Sequence, residues 1–187
     1  MANKVEFGIS QLHVGTYSVA TTDGSAILGT PYHQAGAVAF SLEEQSEKST
    51  FYADNIEYYT NYSGGTFEGD LEVAMFDDQF KKNFLGYVAL TNGGVAAKKN
   101  ATKPNVYIAF QVEGDAESRR VIMYNCQLGA ISREYNTIEE SKESTTEKLT
   151  VTVTGDNKTG VSMATLSTSA SGYNSLFSSP TAPVITS

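Results

Sequence analysis

The sequence predicts a mainly β protein: a two-sheet antiparallel β-sandwich or barrel with one flanking α-helix. Three observations carry this. Eleven tyrosines, nine phenylalanines and many threonines and valines suit a pleated, half-buried surface. Four segments alternate apolar and polar side chains with period two, the mark of sheets with one wet face over a single core. Between them stand turn signals at Thr22-Asp23-Gly24, Ser63-Gly64-Gly65, Asn92-Gly93-Gly94, Gly114-Asp115 and Gly155-Asp156-Asn157.

The alternating segments are these. In Gly36–Glu43, Val38, Phe40 and Leu42 oppose Ala37, Ala39, Ser41 and Glu43. In Phe67–Met75, Phe67, Leu71, Val73 and Met75 oppose Glu68, Asp70 and Glu72. In Asn105–Glu113, Val106, Ile108, Phe110 and Val112 oppose a face that holds Gln111 and Glu113. In Glu147–Gly155, Leu149, Val151 and Val153 oppose Thr150, Thr152 and Thr154. Fainter strand patterns run over Lys4–Ser10, Leu12–Ala20, Arg119–Leu128 and Gly160–Leu166. One helix is expected over 77–85: Asp77 can cap it, Asp78 suits the positive end of its dipole, and Gly86 stops it. Phe76, Phe80 and Phe84, four residues apart, give it a bulky face to lay on a sheet.

Two stretches lack regular periodicity. Glu44–Thr66 reads as a long loop, acidic at its base and rich in aromatics at Phe51, Tyr52, Tyr58, Tyr59 and Tyr62. Loops of that length are functional or disordered, and so much aromatic surface argues for order against a partner. Arg133–Thr146 is charged and polar and reads as a solvated connection. From Ser162 onward, twelve of 26 residues are Ser or Thr, with Pro180 and Pro183 near the end. The expected organisation is therefore one domain over 1–166 and a Ser/Thr-rich arm over 167–187.

Length and composition narrow the function. At 187 residues, with 40% hydrophobic and 18% charged, the chain can bury one sizeable core. Acidic residues outnumber basic ones 21 to 13, a net charge of −8, which disfavours a chain built to grip nucleic acid. The single Cys126 offers no intramolecular disulfide, no secretory h-region is visible, and no apolar run approaches a bilayer's span. No cofactor or metal is expected. Phosphate loop, dinucleotide fingerprint and nucleophile elbow are missing, and His13 and His33 have no companion at ligand spacing. Glu68, Asp70 and Glu72 resemble the acid–base strand of certain retaining β-glucanases, a reaction that needs two carboxyl groups with separated pKa values. With no tryptophan in the chain to platform a sugar, an acidic wet strand face explains them more simply, and no enzyme activity is expected.

Five blocks taken in order resemble the major tail protein family of long, non-contractile-tailed phages, chiefly those of Gram-positive bacteria. They are VEFGISQLHVGTY, FYADNIEYY, GDLEVAMFDDQFKKNFLGY, YIAFQVEGDAESRRVIMYNCQ and EESKESTTEKLTVTVTG, spanning residues 4–156. The resemblance implies a tail tube subunit: six copies form a ring, rings stack, and DNA passes down the bore without specific binding. It implies a virion protein made in the host cytoplasm, not at a membrane. Its partners would be itself and the tape measure, tail terminator and distal tail proteins. The long loop would reach the next ring through Phe51, Tyr52, Tyr58, Tyr59 and Tyr62. Lumen candidates are Glu68, Asp70, Glu72, Gln111, Glu113, Thr150 and Thr152.

Charge is uneven along the chain. Residues 41–78 hold ten acidic side chains against Lys48, and 79–127 hold seven basic against three acidic. Lys81, Lys82, Arg119 and Arg120 are thus candidates for stacking contacts between rings. An inner tube of a contractile particle, or a monomeric sandwich that binds a ligand, are the alternative readings.

Overall fold

Alternating segments become paired strands in the computed structural model, which describes residues 8–53, 56–115, 117–135 and 145–185, with backbone only over 47–63. The strands are β1 (Gly8–Val19), β2 (Ala26–Leu28), β3 (Tyr32–His33), β4 (Ala37–Ala53) and β5 (Ile56–Val73). Helix α1 (Asp78–Phe84) follows, then β6 (Val88–Ala89), β7 (Val95–Ala96), β8 (Val106–Glu113), β9 (Arg120–Ser132), β10 (Glu147–Val153) and β11 (Met163–Leu166). Among the described residues, nine strands form one antiparallel sheet in the order β2-β1-β8-β9-β10-β5-β4. Strand β3 is added to β1 and β11 to β9, and β6 and β7 form a separate hairpin.

The two layers expected from the sequence are one sheet rolled on itself. Phe40 on β4 meets Phe110 on β8 edge to face, ring centroids 5.8 Å apart, although β9, β10 and β5 lie between these strands in the sheet. Inside the roll sit Leu12 and Val14, Leu71 and Val73, Val106 and Ile108, Cys126 and Leu128, and Leu149, Val151 and Val153. Burial pushes the Cys126 thiol's pKa up, so it packs as a small apolar group.

Helix α1 closes one end of this core with Phe76, Phe80 and Phe84, whose successive rings lie 4.8 and 5.2 Å apart. Its cap is the one the sequence indicates. Asp77 accepts from the Phe80 amide at 2.7 Å and from the Tyr32 hydroxyl at 2.5 Å. Gly86, at φ +70°, stands where an added Cβ would lie 2.7 Å from Ala101. Glu147 ties the helix to β10, accepting from the Phe76 amide at 2.7 Å and pairing with Lys81 at 3.8 Å and Arg133 at 2.8 Å.

Two bulges explain why β1 and β9 alternate poorly. Gln11 (φ +52°) and Asn125 (φ +53°) occupy left-handed backbone. Beside each, the apolar positions change parity: Ile9 gives way to Leu12 and Val14, and Val121 and Met123 give way to Cys126 and Leu128. Asn125 is held by its own amide. Its Nδ2 donates to Gly155 O and Asn157 Oδ1, both at 3.0 Å, and its Oδ1 accepts from Asn105 at 2.7 Å.

Beyond β11, which pairs with β9 as part of the wall, the arm lies on the outside of the roll. Leu176 and Phe177 join Tyr17, Tyr107, Ala109, Ile122 and Tyr124 in a second cluster on the outer face of β1, β8 and β9. Phe80→Ala removes the centre of the helix–sheet contact, and urea unfolding should show a loss of about 3–5 kcal/mol. The exposed neighbour Asn83→Ala should stay within about 0.5 kcal/mol of the parent.

Candidate assembly surfaces

Among the described residues, the outer face of β10, β5 and β4 carries no such cover. Because Leu71 and Val73 point into the core, Glu68, Asp70 and Glu72 point out, and the ladders align them in rows. Ser41, Asp70 and Thr150 form one row, Glu43, Glu68 and Thr152 the next, and Ala39, Glu72 and Lys148 a third. Within the rows, Thr150 Oγ1 donates to Asp70 at 3.2 Å and the Asp70 amide donates to Ser41 Oγ at 3.3 Å. Thr146 donates its hydroxyl to Glu72, and Lys148 lies 3.5 Å from the same carboxylate. The Thr146 bond, then Lys148, hold the Glu72 carboxyl below its ordinary pKa. The result is a wall of carboxylates and hydroxyls on the outer side of the sheet.

Gly69 makes the wall possible. A Cβ there would stand 1.8 Å from the Ser41 carbonyl oxygen, so β4 can close on β5 only against a bare backbone. The other two lumen candidates stand apart. Gln111 and Glu113 lie on β8, with Gln111 Oε1 accepting from Arg120 Nε at 3.3 Å and Glu113 accepting the Ser10 hydroxyl. Strand β9 separates them from Thr150 and Thr152 on β10, and β9 and β10 together separate them from Glu68, Asp70 and Glu72 on β5.

The segment Glu44–Thr66, read from the sequence as a loop, is a paired extension of the barrel wall. Strands β4 and β5 continue as an antiparallel hairpin from Glu44 opposite Phe67 out to Ala53 opposite Ile56, with shifts at Gln45/Glu47 and Phe51/Tyr52. Ser63-Gly64-Gly65 falls within β5 rather than at a turn. Aromatics and hydroxyls occupy odd and even positions of the segment alike, so a period of two is silent in the sequence. The side chains of Phe51, Tyr52, Tyr58, Tyr59 and Tyr62 lie outside the described residues. The backbone register sets Phe51 opposite Tyr59, Tyr52 opposite Glu57 and Tyr62 opposite Lys48.

Three of the four basic stacking candidates are engaged within the subunit. Lys81 is buried at the helix–β10 junction and paired with Glu147. Arg119 Nε lies 2.5 Å from Asp115, holding that carboxyl at about 2. Arg120 packs over the Tyr173 and Phe177 rings, 4.0 and 4.3 Å from their centroids. Lys82 is half-exposed on the helix. An open seam completes the set. Val38 and Phe40 of β4 face Gly8 and Ile9 of β1 across a cavity of about 500 Å³, also lined by Phe110 and Met163. Among the described residues, no ladder joins β4 to β1 across it.

A subunit with a bare polar wall, a protruding hairpin and an open sheet edge has the features of a structural building block. The chain belongs to the phage tail tube protein family, whose pattern matches residues 2–163. It is thus a structural component of a phage tail. Comparison with curated proteins gives no match. Among solved structures it is similar to the anti-feeding prophage cap, the AFP tube terminating cap, at 10% identity and TM-score 0.49, covering 88% of this chain and 95% of that one. It is also similar to a chain of the PVC sheath–tube complex of an extracellular contractile injection system in its extended state, at 10% identity and TM-score 0.47, covering 87% and 94%.

Gly69→Ala should force β4 off β5 beside the acidic rows. Urea unfolding should show a loss of about 1–3 kcal/mol, and amide exchange in 39–43 should quicken while the helix stays protected.

Proposed function

We propose that copies of this chain join edge to edge into rings, six to a ring by resemblance to the family, and that rings stack into the tube through which DNA leaves the capsid. The observation that carries this reading is the aligned wall of Glu43, Glu68, Asp70, Glu72, Thr150 and Thr152 beside an open sheet edge. A strand edge is a template for another chain, and pairing between neighbours covers it. Turned inward by ring closure, the wall lines a bore that repels phosphate over roughly a Debye length, about 8 Å at physiological salt. A bore of lysines and arginines would instead bind the duplex, each neutralised phosphate releasing a counterion. Repulsion from every side leaves the duplex without a deep stop. Gln111 and Glu113, beside the arm, fit a position away from the bore.

The hairpin supports stacking. Strand β5 has 18 residues and spans roughly 60 Å. The hairpin turn lies at its start, and past its end come Met75, 65% exposed, then the exposed Val88 and Leu90. Lys82, Lys98 and Lys99 lie in the same stretch of chain, and the hairpin brings Glu43, Glu44, Glu47 and Glu57. Head-to-tail repetition sets the acidic, aromatic end of one copy against the basic, apolar end of the next. The ends of such a tube are where the tape measure, terminator and distal tail proteins would meet it.

In a phage carrying Glu68→Lys, Asp70→Lys and Glu72→Lys together, tubes should form and genome ejection should slow. Ejection at the parental rate from tubes bearing all three changes would refute the bore assignment. Replacing 48–62 with a two-residue turn should leave a folded subunit, judged by its circular dichroism, that no longer stacks in electron micrographs. Tubes of normal length from that variant would refute the hairpin's role.

A further inference from the structure

The arm is clasped at one point by a cluster of rings and cations. Phe177 stacks on His13, centroids 4.5 Å apart and planes 13° apart, and the Arg120 guanidinium carbon lies 4.3 Å from the centroid of the same Phe177 ring. Arg120 Nη1 also donates to the Tyr173 carbonyl at 2.5 Å. The Tyr173 hydroxyl donates to Ser118 O at 2.7 Å, and Tyr124 donates to Thr181 O at 3.3 Å. Leu176, 3% exposed, fills the space between. His13 is only 9% exposed. It stands opposite His33 in the β1–β3 ladder, the two rings 4.9 Å apart. Its Nδ1 lies 2.7 Å from Gln11 O, which a neutral ring satisfies by donating from Nδ1.

We propose that this cluster is an acid-sensitive clasp: neutral His13 holds the arm against the outer face of β1, β8 and β9, and protonated His13 lets it go. A proton added at Nε2 has little water to receive it. Among the described residues, the groups that face the ring do not offer it a counter-charge. They are His33 from β3, Arg120 from β9, Phe177 from the arm, Ala109 opposite on β8, and the Gln11 carbonyl, which already has its proton donor. Glu113, further along β8, is taken by the Ser10 hydroxyl. The Phe177 face attracts a cation, but Arg120 already occupies that role. Burial is the largest influence and lowers the His13 pKa; the Gln11 carbonyl opposes it in part, and His33 and Arg120 add to the lowering. The sign follows. The docked arm prefers the neutral ring, so docking is strongest above the ordinary histidine range. It weakens as pH falls below that range toward the docked value. Release uncovers Tyr17, Tyr107, Ile122 and Tyr124, which makes the outer face apolar and adhesive below neutrality.

Hydrogen exchange on the full chain, corrected for the intrinsic pH dependence of exchange, tests this independently of the tube. Peptides covering 170–181 should lose roughly tenfold in protection between pH 7.5 and pH 5. Peptides from β10 should hold. His13→Phe keeps a stacking ring without a proton to gain, and its arm should stay protected throughout. In the parent, the His13 Cε1–H resonance should titrate below the ordinary histidine range and in step with the loss of protection, a reading that stands even if the variant folds poorly. Constant protection of 170–181 in the parent would overturn the proposal, as would an equal loss in His13→Phe or a His13 titration completed with the arm still protected.

Discussion

One antiparallel pairing, β4 with β5, sets the register on which the functional surfaces depend. The same ladder runs from the barrel wall, where Leu71 sits opposite Phe40, through the acidic rows and out to the end of the hairpin. Side chains alternate across a strand, so a slip of one residue would turn Glu68, Asp70 and Glu72 into the core and expel Leu71 and Val73. Burying those carboxylates without partners is far more costly than losing any single contact in the wall. Gly69, which lets the Ser41 carbonyl approach, and the shifts in the β4 register hold the two strands in this alignment.

The subunit covers one half of its outer surface from its own chain and leaves the other half bare. Over β1, β8 and β9 the arm supplies Tyr173, Leu176 and Phe177, and Arg120 is committed to them. Over β10, β5 and β4 the described outward side chains are mainly carboxylates and hydroxyls, with Lys148 and Ala39. The seam beside Val38 and Ile9 lies between these regimes, lined mostly by apolar side chains and, among the described residues, without a ladder at its margin. An apolar margin with free backbone groups is poorly served by water, and a second copy is the simplest thing that answers both needs.

Much of the barrel was legible because its strands have one dry face. The alternations around Leu71, Ile108 and Val151 mark β5, β8 and β10 directly, and Asp77 and Gly86 mark the helix at both ends. Legibility fails where that asymmetry fails. Beyond Gln45 the hairpin residues carry no apolar alternation in sequence, so their pairing leaves no stripe to read. Bulges at Gln11 and Asn125 break the count in β1 and β9. Strands β2, β3, β6 and β7, of two or three residues each, are too short to show any period. The acidic rows could be anticipated from Glu68, Asp70 and Glu72 alone, but their alignment with Thr150 and Thr152 is a product of register. The roles of Lys81 and Arg120 were hidden for another reason: a basic residue in sequence looks solvated until Glu147 or an aromatic pair is found beside it. His13 and His33, twenty residues apart, meet only because a short strand returns to pair with β1.

Everything rests on the bare wall and the open edge being completed by further copies. Electron microscopy of the purified full-length protein at high concentration addresses this directly. The account predicts straight hollow cylinders of uniform width, with the hairpins running between successive layers and the Glu68–Glu72 face turned to the central hole. Solitary particles at every concentration, or assemblies with that face on the outside, would contradict it.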